Sequence, residues 1–427
     1  MVHSSALIRR LIFSLAGLSL AMWPAVSAWA APLNTCAECH EMLEGQTRGP
    51  AALFQVDVHS KRGLTCADCH GGDPAAQDPT LSMALEKGFV GRPARQDIPG
   101  FCARCHADPA FMRRFNPNLP TDQYAKYLTS QHGKANAAGD EDVAVCTSCH
   151  GVHGIRSAKD PLSPVYATNI PGTCAVCHTD ADLMKRHGLP VNQHWDYAHS
   201  VHGQALLVAG DRGAPHCASC HGSHEASKPG AIAVGNVCAQ CHSLSRDLFA
   251  ASPHKMVHEA LGLPECEVCH GNHAIQKTSD EMLGTGPESF CARCHEPGSK
   301  GFETAQAMRA AVEDLKARIQ GAEESIQRAH HFGMDMEDAE YTLHEASSRL
   351  TQTRAYVHSF SIEKVKSVAG EGLAHADEAR KAGEKAVEEV YFRRKGLWVT
   401  VALLGIFVLA LIAKIRSMDK KGPTHSG

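Results

Sequence analysis

The chain has 427 residues and a formal net charge of −4. That near balance excludes the broad basic surface of a nucleic-acid binder. The informative counts are 18 cysteines and 28 histidines beside only 6% aromatic residues.

At the N-terminus, Arg9 and Arg10 precede an apolar run from Leu11 to about Met22, and small residues follow at Ala28 and Ala30. This predicts a secretory signal over residues 1–30, cut before Ala31, and hence export. An uncleaved N-terminal anchor is the alternative; the run is short for a span and Pro24 interrupts its end.

Every cysteine then falls in a C-x-x-C-H motif, nine in all. The cysteine pairs are Cys36 and Cys39, Cys66 and Cys69, Cys102 and Cys105, Cys146 and Cys149, and Cys174 and Cys177. They continue with Cys217 and Cys220, Cys238 and Cys241, Cys266 and Cys269, and Cys291 and Cys294. The histidines that follow are His40, His70, His106, His150, His178, His221, His242, His270 and His295. Two thiols at this spacing can each bond one vinyl group of a porphyrin, and the adjacent histidine then becomes the proximal iron ligand. Zinc sites do not require a histidine after every pair. Disulfides would not explain the spacing either. Residues 31–298 are therefore expected to carry nine covalently attached haems c. With about 29 residues per haem across the motifs, the fold should be mainly α with much irregular loop, short helices enclosing stacked haems.

After the first motif, the others form four doublets. The leading member of each is followed by glycine: C-H-G-G, C-H-G-V-H, C-H-G-S-H and C-H-G-N-H. This repeat marks candidates for the distal ligands. His59, His132, His202 and His254 stand upstream of leading motifs, while His153, His224 and His273 lie in C-H-G-x-H. His199 competes with His202 and His258 with His254, and the sequence does not choose. His187, His194 and His216 are equally well read as loop residues.

The first motif reads C-A-E-C-H-E-M, with Met42 two residues past His40. It is similar to the first haem motif of NapC/NirT-type membrane-anchored tetrahaem quinol dehydrogenases, in some of which the methionine at this position is an axial ligand. The resemblance implies that role for Met42; an exposed loop methionine is the other reading. This chain departs from that family in its nine motifs and C-terminal anchor. Over residues 36–295 the doubled motifs resemble the multihaem cytochromes that include cytochrome c3-like carriers and respiratory relays.

Beyond Pro297 the composition turns to Ala, Glu, Lys, Arg and Gln. Met308, Val312, Leu315, Ile319, Ala322, Ile326 and Ala329 follow a heptad pattern. So do Met336, Ala339, Leu343, Ala346, Leu350, Thr353, Val357 and Phe360, with Gly333 between the two series. Residues 299–395 are thus expected to form a helical hairpin plus a connecting helix. His344 and His358, fourteen residues apart, share a helix face and are further distal candidates. Leu397 to Ala413 is uncharged and flanked by Arg393, Arg394, Lys395, Lys414 and Arg416, which predicts one transmembrane helix over 396–416 and a cytoplasmic tail over 417–427.

These features predict an electron carrier on the periplasmic side of a bacterial inner membrane. It would link the membrane quinol pool, or a membrane respiratory complex, to periplasmic redox proteins. The alternative is a multihaem oxidoreductase acting on a small nitrogen or sulfur compound at one open haem. Multihaem nitrite reductases and hydroxylamine oxidoreductases also follow their haems with long helices. No C-x-x-C-K motif marks an open site here, however, and histidine ligands are in surplus. No catalytic residue is assigned.

Overall fold

The computed structural model describes residues 34–43, 48–230 and 234–419. The signal expected over 1–30 and most of the tail lie outside the described residues. The fold is helical, with no strand among the described residues. The chain forms two compact units: residues up to 93 together with 152–155, and residues 94–151 together with 156 onward.

The motifs themselves make the shortest helices. Cys66–His70, Cys146–His150 and Cys217–His221 are each little more than one turn. The second of the two residues between the cysteines caps that turn. Asp68 accepts from the Thr65 backbone N–H at 2.7 Å, and Ser148 and Ser219 accept from Val145 and His216, both at 3.1 Å. Behind each leading motif, Gly71, Gly151, Gly222 and Gly271 take positive φ of 69° to 86°. That conformation turns the chain away from the motif it has just left, and a side chain there would be strained.

A second local device recurs ahead of the leading motifs. In Tyr127-x-x-Ser130-Gln131-His132-Gly133 and Tyr197-x-x-Ser200-Val201-His202-Gly203, the serine caps a new helix by accepting from the glycine N–H, at 2.8 and 3.0 Å. The tyrosine hydroxyls donate to Ala144 and Pro215, at 3.0 and 2.9 Å, two residues before the next motif in each case.

The C-terminal region is a three-helix bundle: a first helix Lys300–His331, a second Glu337–Tyr356 and a third Ile362–Asp419. The heptad positions lie inside, with Val312, Leu315, Ala322, Ala329 and Ala346 fully buried. The first helix ends at Phe332, and Gly333 follows at φ 75°. The connecting helix packs against the hairpin. Alanines Ala369, Ala376, Ala379 and Ala386 give the third helix a buried stripe of its own. It approaches so closely that a Cβ on Gly372 or Gly383 would stand 2.9 Å from Leu315 or 2.8 Å from Ser325. Nor does it stop at the bundle. One helix of 58 residues runs from Ile362 through the apolar segment, and it is long and apolar enough to cross a membrane.

Asp280 fastens the last haem-motif region to this bundle. It is bound by Arg354 Nε and Nη2, each at 2.8 Å, and by Lys316 at 3.2 Å, from the second and first helices. The hydrogen bond from Arg354 outweighs burial and holds the Asp280 carboxyl below the usual range. Its contribution to stability is full above the unfolded carboxyl value near about 4 and fades as pH falls through the lower folded value. We expect Asp280→Asn to cost about 1–3 kcal/mol at neutral pH and to abolish that acid-side component. Thermal melts of both proteins from pH 7 downward check it; parallel curves would refute the clamp.

Candidate functional site

Seven motif histidines face a second imidazole. Among leading motifs, the ring centroids of His70 and His153 are 5.9 Å apart, His150 and His224 6.1 Å, His221 and His273 5.9 Å, and His270 and His358 6.2 Å. Among trailing motifs, His178 faces His132 at 6.2 Å, His242 faces His202 at 6.3 Å and His295 faces His254 at 5.9 Å. Two nitrogens each about 2 Å from one metal ion place their ring centroids about 6 Å apart. The interplanar angles run from 11° to 77°. Such scatter is allowed because each ring can rotate about its metal–nitrogen axis.

The pairs obey a rule. The histidine of C-H-G-x-H does not face its own motif but the leading motif of the preceding doublet. In the last three doublets the upstream histidine faces the trailing motif of its own doublet. Backbone bonds clip the two kinds together. The N–H of Val58, Gln131 and Val201, each just before an upstream histidine, donates to Ile155, Ala226 and Ile275, each two residues past a C-H-G-x-H histidine. The distances are 2.9, 3.1 and 2.8 Å.

At the last doublet the bundle takes over. No further C-H-G-x-H exists, and His358, in the turn between the second and third bundle helices, fills its place opposite His270. Two residues on, Phe360 has φ 49° and stacks 3.8 Å from His254. Pro253 has no N–H to donate at the clip position, and this ring contact stands where the backbone bond would be.

Burial pushes several of the paired rings toward the neutral form that metal ligation requires. Burial lowers His202 and His254, helped by the facing His242 and His295. It lowers His150 as well, with His224 and His106 adding to the effect. The competing candidates fall away. His199 lies exposed, its ring 3.9 Å from Trp195 and its Nδ1 2.8 Å from the Trp195 carbonyl, while His202 is the ring that meets His242. His258 is buried edge-on to Phe249, 5.2 Å away, and His254 is the ring that meets His295. The 6.4 Å between His254 and His258 follows from their i, i+4 spacing on one helix. His344 is exposed on the second bundle helix, so of the two bundle candidates it is His358 that meets a motif. His187 pairs with Asp140 at 3.6 Å. Met42, the last residue of helix Thr35–Met42, is 78% exposed, and two positions along a helix set it on a different face from His40.

His59 differs from its repeat mates in its surroundings. Asp57, 2% exposed, stands where Ser130 and Ser200 stand, and its Oδ1 lies 2.8 Å from His59 Nδ1. Burial alone would raise the Asp57 carboxyl, but hydrogen bonds from His59 and Ile155 hold it low and charged. A carboxylate on Nδ1 makes the other nitrogen a stronger donor to iron, which stabilises the ferric state. Asp57→Asn should therefore raise the midpoint potential of one haem and leave the rest; an unchanged redox titration would count against the ligation of iron by His59.

The thiols show how the motifs follow one another. Cys102 shares a hydrogen bond with Cys146, Cys174 with Cys217, and Cys238 with Cys266. Cys149 lies within electrostatic reach of Cys174 and Cys177, Cys220 of Cys238 and Cys241, and Cys269 of Cys291 and Cys294. From Cys102 to Cys294, then, neighbours in sequence are neighbours in space. In the other unit Cys36 lies within reach of Cys66. Several buried polar atoms have no protein partner among the described residues, including Arg246 Nε, Ser252 Oγ, and Oε1 of the repeat-equivalent Gln123 and Gln193. Paired imidazoles, paired thiols and orphaned polar atoms fit haem with its propionates.

Residues 58–179 match the family model for Cytochrome c3, a stretch that holds the motifs beginning at Cys66, Cys102, Cys146 and Cys174. No curated protein and no solved structure matches the chain. The motifs and that match together identify the chain as a multihaem c-type cytochrome, with covalently bound haem c.

Proposed function

We propose that the protein is a nine-haem relay, anchored by its C-terminal helix, that carries electrons on the periplasmic side of a bacterial inner membrane. Its electrons come from the quinol pool or a membrane respiratory complex and leave to periplasmic redox proteins. The reading rests on one observation above the others: seven motif histidines each face a second histidine at the separation two axial ligands need. Bound haem supplies one-electron chemistry. The facing histidines would supply two imidazoles to each of these irons, and an iron held that way would have no place for a substrate. Thioether positions that succeed one another from Cys102 to Cys294 would place each porphyrin edge beside the next.

A pyridine haemochrome assay should return nine haems per chain. Low-temperature EPR of the oxidised protein should be dominated by low-spin signals that nitrite and hydroxylamine leave unchanged. A high-spin signal that shifts when either is added would replace the relay with the oxidoreductase reading.

A further inference from the structure

The bundle holds its haem-bearing contacts at one end. His358, Phe360 and the start of the first helix meet the last two motifs; a Cβ on Gly301 would stand 2.2 Å from His295 Nδ1. The furthest ties along the first helix are Arg309, bonded to the Asp280 and Leu283 carbonyls, and Lys316, bonded to Asp280. Below that level the three helices bind one another. Arg318 pairs with Asp377 at 2.9 Å, and Ser325 Oγ donates to the Arg380 carbonyl at 3.1 Å. A core of Ala322, Ile326, Ala329, Ala339, Ala379 and Ala386 fills the space between.

The third helix runs without interruption from Ile362 into the apolar span that starts at Leu397. At 1.5 Å per residue, its start stands about 50 Å along the helix from that span. Gly372, which packs on Leu315 at the level of the Asp280 clamp, stands about 35–40 Å from it. Electron tunnelling through protein does not bridge such lengths.

We infer that the lower half of the bundle is a spacer, and that the haems at its top exchange electrons with a redox centre carried on a protein rather than with quinol dissolved in the bilayer. The inference rests on the relay reading and narrows it. The partner is a protein whose redox centre is itself raised well above the lipid headgroups, such as the extramembrane part of a respiratory complex.

Two measurements on the full-length holoprotein in proteoliposomes test it. Nitroxide labels at Lys364→Cys and Gly396→Cys, read by pulsed dipolar EPR with the haems reduced, should show one narrow distance near about 50 Å. A long-chain quinol confined to the same bilayer should leave the haems oxidised, while dithionite added outside reduces them all. A broad or much shorter distance would overturn the spacer, and reduction by the bilayer quinol alone would overturn the protein donor. Haems that dithionite cannot reduce would instead sink the relay reading itself.

Discussion

On the relay reading, His358→Ala is expected to convert one closed haem into an open one. The His358 ring lies 6.2 Å from that of His270, and its Nδ1 is 2.9 Å from the Ala355 carbonyl. That bond fixes Nδ1 as the donor and leaves Nε2 with a free lone pair for iron. Burial also pushes the imidazole toward its neutral form. With the ring gone, only His270 remains to hold the iron from the protein side. The oxidised variant should show a high-spin EPR signal amounting to one haem. The dithionite-reduced variant should bind one more equivalent of carbon monoxide than the parent. Loss of a buried ring should also cost about 1–3 kcal/mol of stability. His344→Ala, on the exposed face of the preceding helix, serves as the control and should change neither signal. A His358→Ala protein with no high-spin signal beyond that of the parent would show that His270 takes its partner from elsewhere.

The role of His358 marks where the sequence could be read and where it could not. All nine C-x-x-C-H motifs were legible because covalent haem attachment demands fixed spacings within five residues, while the distal candidates were marked only by their position in the repeat. The heptads of the first two bundle helices were legible because burial repeats with the helical turn. The pairing of histidines was not. It depends on glycines at positive φ that throw the C-H-G-x-H histidine away from its own motif, and on backbone clips between segments nearly a hundred residues apart, as from Val58 to Ile155. Yet a signal for the bundle ligand was present. Four leading motifs need four downstream histidines, and the C-H-G-x-H series supplies only His153, His224 and His273. The shortfall pointed beyond Cys294. The third bundle helix was under-read for a different reason: its buried face is mostly alanine, which carries little hydrophobic signal but allows close helix contact. Between His199 and His202, and between His254 and His258, the sequence did not choose, because repeat position fixes a histidine only to within a helical turn; at the first pair the Ser200 cap sets the helix on which His202 meets His242.

That capping turn is also where a single methyl group should do most harm. In Gly203→Ala, the new Cβ would stand 1.9 Å from the Tyr197 carbonyl oxygen and 2.8 Å from its carbon, which are backbone atoms and cannot swing aside. The crowding is intrinsic to the motif. Ser200 folds back so that its N–H and hydroxyl both donate to the Tyr197 carbonyl, at 3.0 and 2.7 Å, and the helix carrying His202 starts directly over that oxygen. Gly133 repeats the arrangement 2.0 Å from the Tyr127 carbonyl oxygen. The fourth doublet shows the alternative. Lys255 stands in place of the glycine, and there Ser252 Oγ has no partner, so the cap is not made. Gly203→Ala should therefore lose the Ser200 cap and shift His202 off the axis that passes through His242. We expect a stability loss of about 1–3 kcal/mol from overpacking, with lost capping of about 1 kcal/mol added to it. One haem should also acquire high-spin character, although no ligand has been removed. Ser200→Ala separates the two contributions: it deletes the cap without the clash, so it should cost only about 1 kcal/mol and add no high-spin signal to that of the parent. If Gly203→Ala matches Ser200→Ala in both melting temperature and EPR, the close approach at Tyr197 does not govern where His202 points.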